Sequence, residues 1–152
     1  METRTAELAE ANRHLGEREV ELKQVAFHDA LTELPNRRYL IERVEMALSD
    51  ARRRGESIAL LLIDLDHFKP INDGHGHDAG DLLLRTLSQR LRDLVRSSDM
   101  AARLGGDEFA VLLTGPNVEQ DAAQIAERSG GMFQFAKLVL EDMDDNMSAD
   151  DL

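Results

Sequence analysis

The chain has 152 residues, of which 42% are apolar and 32% charged, and its formal net charge is −12. This length favours one domain with an appendage, and the negative charge argues against nucleic acid or an anionic membrane as the main partner. The absence of cysteine excludes disulfides, cysteine-ligated zinc and thiol catalysis. Because no apolar run is long enough to span a bilayer and no leader is evident, we expect a cytoplasmic chain without membrane contact.

The first predicted element is a helix over residues 1–26. Leu8, Leu15 and Leu22 recur every seven residues, as in the seam of a coiled coil. Two arginines interrupt the companion seam, and the segment is shorter than the several heptads that define a coiled coil. Two interpretations therefore stay open: a solvated amphipathic helix, or a parallel stalk that joins two copies of the chain.

A helix, a strand and a loop are predicted next. Residues 36–54 carry an apolar helical stripe that Asn36 can cap and Gly55 can end. Residues 57–64 form a continuous β-branched and leucine run, the pattern of a strand buried on both faces. Residues 67–81 are rich in Gly, His and Asp, so they are predicted to be mostly loop.

The following segment is predicted to form a helix and a hairpin. Leucines at a helical spacing predict the helix, and two short strands follow at residues 100–104 and 109–113. Gly105 and Gly106 between these strands tolerate the positive φ of a hairpin turn. Without side chains they would also let a nucleotide approach the backbone closely. The helical leucines are Leu83, Leu87, Leu91 and Leu94.

A last helix is predicted to open at Asn117, because Gln120 three residues later is typical of a capping box, and to end near Arg128. The order of elements predicts an α/β (α+β) fold with a mixed sheet flanked by helices. Residues 132–140 are apolar enough to cover the sheet edge as a strand or to pack as a helix, and both readings stay open. Residues 143–152 are predicted to be disordered.

Acidic residues mark the ends of two predicted strands. Asp64 and Asp66 lie two apart at a strand end and therefore share a face, and Asp107 and Glu108 lie at the hairpin turn. If the hairpin pairs beside the first strand, these acids converge. Carboxylate oxygens suit Mg²⁺, and Lys69 nearby is a point charge that could meet phosphate. The pattern indicates metal-assisted phosphoryl or nucleotidyl transfer.

The chain reads DALTELPNRR from Asp29, DLDHFKPIND from Asp64, GHGHDAGD from Gly74 and RLGGDEF from Arg103. These four blocks, in this order and spacing, resemble the GGDEF family of diguanylate cyclases. The resemblance covers roughly residues 27–128, preceded by the helix 1–26 and followed by a divergent acidic tail, 129–152. It implies a ferredoxin- or palm-like sheet behind a signalling helix, with the C-terminal part of the domain truncated or divergent.

The resemblance also implies site residues. Asp64, the carbonyl of Leu65 and Asp107 would hold Mg²⁺ or Mn²⁺. Asp107 and Glu108 would be catalytic, with Glu108 near both the metal and the reacting hydroxyl. Substrate contacts would come from Lys69 on the triphosphate and from Asn72 and Asp81 on the guanine edge, with Phe68 as an apolar wall or a plain core residue.

The implied reaction is attack of the 3′-hydroxyl of one GTP on the α-phosphate of another, with pyrophosphate leaving and cyclic di-GMP formed. One domain holds one GTP, so two domains must face each other, which gives the N-terminal helix a purpose in a homodimer. Arg96 and Asp99 form an RxxD whose spacing from Gly105 is similar to the inhibitory cyclic di-GMP site of the family. The alternative is an ordinary ion pair at a helix end.

Three functions remain open: an active cyclase, a module that binds GTP or cyclic di-GMP without turnover, and a helix-mediated interaction protein. The late segments of the family are not evident after Arg128, and the sequence leaves open whether Lys137 replaces a phosphate-binding lysine. His75 and His77, without cysteine partners, are expected to organise a loop rather than to bind zinc.

Overall fold

A computed structural model describes residues 2–65, 68–129 and, for the backbone alone, 133–140. Helices and strands are mixed along the chain and form one sheet flanked by helices, so the expected α/β (α+β) fold is confirmed. The helices are α1 (Glu2–Phe27), α2 (Arg37–Arg54), α3 (Phe68–His75), α4 (His77–Leu94) and α5 (Val118–Arg128). The strands are β1 (Ile58–Leu65), β2 (Met100–Gly105), β3 (Glu108–Leu113) and β4 (Phe133–Leu140).

The sheet has the order β2-β3-β1-β4, and each described neighbour pair is antiparallel. The expected mixed sheet therefore has no parallel neighbours among the described strands. The reason is the position of the hairpin, because β3 rather than β2 lies beside β1. Strand β2 runs in the same direction as β1 but is separated from it by β3.

Two apolar clusters cover the faces of the sheet unevenly. One packs α4 and α5 against Ala59, Leu61 and Ile63 of β1. The other packs α2 against β2 and against the start of β1, at Ile58 and Leu60. The predicted burial on both faces thus holds for the first half of β1 only. On the α2 side Leu62 is 38% exposed and Asp64 is exposed, so the end of this strand is open to solvent.

The loop predicted at residues 67–81 is wrong over its described part, because α3 and the first turn of α4 occupy it. Pro70 lies in the first turn of α3, where a helix needs no backbone N–H donor. Gly76, with a φ of 85°, separates the two helices. The polar residues that suggested a loop lie instead on exposed positions of these helices.

Two predicted helix caps have different outcomes. Asn36 caps α2 as expected, because its Oδ1 accepts a hydrogen bond from the N–H of Tyr39 at 3.0 Å. Gly55 ends that helix with a φ of 66°. The capping box at Asn117 is wrong: its side chain makes no cap hydrogen bond, and a ψ of 35° departs from the extended conformation that an N-cap adopts.

Strand β4 resolves the choice left open for residues 132–140. It pairs with β1 from Ile58 opposite Leu140 to Leu65 opposite Phe133, on the side away from β3. Lys137 lies opposite Leu61 in this register. Residues 143–152, for which disorder is predicted, lie outside the described residues. Asp66 also lies outside them. Within the described ranges no helix is both long and apolar enough to cross a membrane.

Glu33, between α1 and α2, has a φ of 61°, a conformation that costs an L-residue roughly 1–2 kcal/mol. Glu33→Gly is therefore expected to raise the free energy of unfolding by about 1 kcal/mol after the greater flexibility of the unfolded chain is counted. The matched control is Glu45→Gly on the exposed side of α2, which is expected to lose about 1 kcal/mol. Urea denaturation of both variants measures the difference, and a loss at both positions would contradict the strain.

Candidate active site

The antiparallel register brings acids of β1 and the hairpin together. Asp64 lies directly opposite Glu108, and Asp107 occupies the turn just before Glu108. The N–H of Leu65 donates to the carbonyl of Asp107 at 3.3 Å, which joins the end of β1 to this turn. The carboxyl groups of Asp64 and Asp107 lie within hydrogen-bonding reach of each other. Three acids from two separate stretches of chain thus meet at the open end of the sheet.

This gathering of negative charge alters the titration of Asp64. Partial desolvation, the charge of Asp107 and its hydrogen bond, and the charge of Glu108 together raise the pKa of the Asp64 carboxyl above its ordinary value of 3.8. A hydrogen bond with the backbone of Leu65 opposes the shift without cancelling it. Uncompensated repulsion between carboxylates is what a bound cation relieves, so the electrostatics of the cluster favour a positive ligand.

The turn that carries Asp107 is held by a side chain that sequence reasoning missed. Arg103 donates from Nε at 3.2 Å and from Nη2 at 2.8 Å to the carbonyl oxygen of Gly106. Its Nη1 also donates to both carboxylate oxygens of Asp29, at 3.2 and 3.0 Å. Both residues belong to the sequence blocks that begin at Asp29 and Arg103, but they are 74 positions apart, so only the fold reveals the pair.

The same carboxylate is tied to its own loop. Burial alone would raise the pKa of Asp29, but hydrogen bonds from Thr32 and the bond and charge of Arg103 outweigh it, so its pKa lies below the ordinary value of 3.8. The hydrogen bonds from Thr32 are 2.9 Å from the backbone N–H and 2.7 Å from Oγ1. Thr32 and Arg103 together therefore favour the ionised form of Asp29 and fix the orientation of its carboxylate.

The predicted base-reading residues lie on α3 and α4. The side-chain Nδ2 of Asn72 is 3.1 Å from Nδ1 of His77, so His77 does organise this segment. Gly80 packs against Asn72: a Cβ added there would lie 2.5 Å from Asn72 Oδ1. Asp81 follows Gly80 directly and is partly exposed.

The other two predicted substrate residues lie at the start of α3. Phe68 is partly buried and packs against the core cluster that α4 and α5 form with β1, which fits its alternative role as a core residue. Lys69 is exposed. Within the described ranges, Lys69 makes no ion pair with the acids of the turn.

Arg96 and Asp99 form a network at the opposite end of β3. Asp99 accepts from Nε of Arg96 at 3.2 Å and from the N–H of Thr114 at 3.2 Å. Arg96 Nη2 also contacts Asp121 at 2.9 Å, and these acids raise the pKa of Arg96. The side chain of Asp99 is only 2% exposed whereas that of Arg96 is 57% exposed, at the edge of a cavity of about 460 Å³.

In the described part of the chain no cluster of three or more His, Asp or Glu side chains has the geometry of a complete metal site. A cation at the acids of the turn would need backbone or substrate oxygens besides the carboxylates, as Mg²⁺ sites in phosphoryl-transfer enzymes do.

A family model described as "Diguanylate cyclase, GGDEF domain" matches residues 26–147. The chain belongs to the GGDEF family. The matched stretch of this GGDEF chain includes β4. Among curated proteins it is 50% identical over 121 residues to the bifunctional diguanylate cyclase/cyclic di-GMP phosphodiesterase MucR of Pseudomonas aeruginosa. It is 46% identical over 121 residues to the diguanylate cyclase TpbB of the same organism. Each match covers 80% of this GGDEF chain but only 16% of MucR and 28% of TpbB.

Solved structures agree with the fold of this GGDEF chain. A crystal structure of the coiled coil and GGDEF domain of DgcB from Caulobacter crescentus, in complex with c-di-GMP, superposes with a TM-score of 0.78 at 26% identity. The alignment covers 99% of this chain and 86% of the DgcB chain.

Proposed function

We propose that this GGDEF chain is a diguanylate cyclase module that condenses two GTP molecules into cyclic di-GMP with Mg²⁺ or Mn²⁺. The observation that carries the proposal is the meeting of Asp64, Asp107 and Glu108 at the open end of the sheet. Family membership and the diguanylate cyclases among the relatives support it. Since this chain spans less than a third of those relatives, the activity proposed is that of the module.

The donor set at this site fits a hard divalent cation. Asp64 and Asp107 offer carboxylate oxygens and Leu65 offers a backbone carbonyl, and all of these are ligands that Mg²⁺ prefers. A bound cation would supply positive charge to the α-phosphate and to the leaving pyrophosphate. The carboxylates themselves would hold that charge in place, and Glu108 would lie beside the attacking hydroxyl as the candidate base.

The proposed reaction forms one phosphodiester bond at each of two sites. The 3′-oxygen of one ribose attacks the α-phosphorus of the other GTP, the bond to the β-phosphate oxygen breaks, and pyrophosphate leaves with the electron pair. The hydroxyl proton passes to a base, for which Glu108 is the candidate. Lys69 would meet the triphosphate, and Gly105 and Gly106, open to solvent, would let it approach the backbone.

Guanine would be selected by Asn72 and Asp81. An amide and a carboxylate can together accept from and donate to the edge of guanine in a pattern that adenine does not match. The hydrogen bond between Asn72 and His77 supports this role, because it restrains the amide.

Two copies of the module must face each other for the reaction to be completed. Helix α1 supports a homodimer, because Leu8, Leu15 and Leu22 are exposed and no residue of this helix is buried. A parallel pair of such helices would raise the local concentration of one module near the other.

Product inhibition is proposed at Arg96 and Asp99. The exposed guanidinium of Arg96 is suited to phosphate or guanine, whereas buried Asp99 anchors it from behind. An anionic ligand would have to replace the contact between Arg96 and Asp121. The alternative, an ordinary ion pair after the end of α4 that also contacts α5, predicts no ligand at this position.

Chromatography of products tests the proposal. The purified chain is incubated with GTP and Mg²⁺, and formation of cyclic di-GMP with two pyrophosphates per product is expected, with none from ATP. Binding of cyclic di-GMP without turnover, lost in Arg96→Ala, would select a binding module instead. If the chain forms no product and binds no cyclic di-GMP but still dimerises through its helix, an interaction protein would be selected.

Gly80→Ala tests the proposed role of Asn72. The new methyl group would push the Asn72 amide away, since its ideal position is 2.5 Å from Oδ1 and 3.2 Å from Cγ. Because the amide can rotate, the fold should survive while the KM for GTP rises about 10-fold, the effect of one lost hydrogen bond. The control is Gly74→Ala in α3, where an added Cβ meets no atom within 4 Å. If the KM for GTP is the same in both variants and in the parent, the proposed role of Asn72 in base recognition is wrong.

A further inference from the structure

Arg103 connects the segment between α1 and α2 to the turn that carries Asp107. Its Nη1 contacts both carboxylate oxygens of Asp29, and its Nε and Nη2 both donate to the carbonyl of Gly106. The Arg103 side chain is only 12% exposed and that of Asp29 22%. All three guanidinium nitrogens are engaged within the protein, so Arg103 holds the turn rather than offering itself to a substrate.

The turn needs such an external restraint. Gly105 and Gly106 have φ values of 147° and 51°, and glycine supplies little local stiffness. Asp107 lies between two fixed points: the Gly106 carbonyl bound by Arg103, and its own carbonyl, which accepts from Leu65 N–H at 3.3 Å. Without the hydrogen bonds of Arg103 to the Gly106 carbonyl, the backbone on only one side of the Asp107 side chain is held to the sheet.

The other end of the connection is rigid. Asp29 N–H donates to the carbonyl of Leu34 at 2.7 Å, and Arg103 N–H donates to the carbonyl of Pro35 at 2.9 Å. Thr32 orients the Asp29 carboxylate through two hydrogen bonds. The segment that directly follows α1 therefore provides a fixed anchor for the guanidinium.

We propose that Asp29 and Arg103 are a positioning pair, which holds the turn so that the carboxylates of Asp107 and Asp64 reach one cation together. Neither residue touches substrate. The effect on catalysis rests on the function proposed above, whereas the restraint of the turn does not depend on it. The pair also connects the segment that follows α1, through two side chains, to the turn that carries Asp107.

Hydrogen exchange of the backbone amides of residues 103–109, followed by mass spectrometry, tests the restraint without reference to activity. In Arg103→Ala and Arg103→Lys these amides are expected to exchange about 10- to 100-fold faster, as after loss of charge-assisted hydrogen bonds. A lysine amine cannot span both acceptors, so it should rescue only part of the protection. Asp29→Asn keeps an acceptor for Thr32 but removes the charge, and an intermediate effect is expected.

Arg92→Ala is the matched control, because Arg92 Nη2 donates to the carbonyl of Thr32, in the same segment, but Arg92 does not touch the turn. Its exchange over residues 103–109 should equal that of the parent. With GTP as substrate, Arg103→Ala should lower kcat roughly 100-fold relative to the parent, the cost of a misplacement near 1 Å, while the KM for GTP changes less than about threefold. Arg92→Ala should retain its kcat.

The outcomes separate the two proposals. If the parent chain makes no cyclic di-GMP, the proposed function is contradicted. The exchange comparison still tests whether Asp29 and Arg103 restrain the turn. Unchanged exchange over residues 103–109 in both Arg103 variants, or an equal increase in Arg92→Ala, would overturn the pair. If Arg103→Ala unfolds, the exchange over residues 103–109 is compared in Arg103→Lys and Asp29→Asn instead. Each variant is measured at the same interval below its own melting temperature, and the same criteria apply.

Discussion

Replacing Asp64 by Asn is expected to lower the rate of cyclic di-GMP formation roughly 100- to 1,000-fold while raising the melting temperature of the metal-free protein. The loss of rate follows from removal of one of two proposed carboxylate ligands of the cation. The gain in stability follows from removal of a charge that Asp107 and Glu108 repel. A substitution that only damaged the fold would lower both quantities.

The sign of the stability effect depends on pH. The pKa of Asp64 is raised in the folded protein, so the folded state binds its proton more tightly than the unfolded state does. Its contribution to stability is therefore complete below the ordinary value of 3.8 and is lost as the pH rises through the higher folded value. The amide introduced by Asp64→Asn does not titrate, so the advantage of this variant should appear above this interval and vanish below it.

Thermal denaturation at several pH values, with and without Mg²⁺, measures this effect. Mg²⁺ should raise the melting temperature of the parent and have little effect on Asp64→Asn. The control is Asp93→Asn, at an exposed position of α4, which should leave rate and Mg²⁺ response unchanged. An Asp64→Asn protein that keeps its rate, or that melts below the parent at neutral pH without metal, would contradict the proposed site.

Leu15→Glu is expected to weaken dimerisation through α1 and to lower the specific activity about 100-fold at micromolar protein concentration. Leu8, Leu15 and Leu22 form an exposed apolar row, and a charge in that row opposes association of two helices. A short connection gives a partner module an effective concentration in the millimolar range, which is lost when the helices part. Activity should therefore return as the concentration of the variant is raised.

Val20→Glu is the matched control, because Val20 is an exposed apolar residue of the same helix outside the row of leucines. Its dimerisation and activity should match those of the parent. Sedimentation velocity and initial rates across a range of protein concentrations measure both quantities. If Leu15→Glu and Val20→Glu behave alike, the row has no role in association, and the open reading of α1 as a solvated helix is favoured.

Much of the fold follows from local sequence patterns. The apolar stripe with Asn36 and Gly55 predicts α2, and the continuous apolar run predicts β1, because in both cases burial and capping agree with the backbone pattern. The loop prediction for residues 67–81 is wrong over the described part, since several of its polar residues, which are typical of loops, lie on exposed positions of two helices. Composition alone does not distinguish an exposed helix from a loop.

Local patterns predicted which strand ends carry the acids of the candidate site, but they did not by themselves predict that these acids meet. Asp64 and Asp107 could be assigned to two strand ends, yet their meeting required β3 rather than β2 to lie beside β1. The contact of Arg103 with Asp29 joins residues 74 positions apart and follows from no periodicity. Local patterns therefore predict the elements, whereas pairing and long-range ion pairs determine which side chains meet.

Asp64 and Asp107 are proposed to bind one divalent cation beside GTP. A crystal structure with Mn²⁺ and a non-reactive GTP analogue tests this proposal directly, because the anomalous signal locates the ion. We expect one ion with carboxylate oxygens of both residues about 2.1 Å away and a nucleotide phosphate oxygen among its ligands. An ion bound by one of these acids alone, or nucleotide bound elsewhere with the two carboxylates turned apart, would contradict the claim.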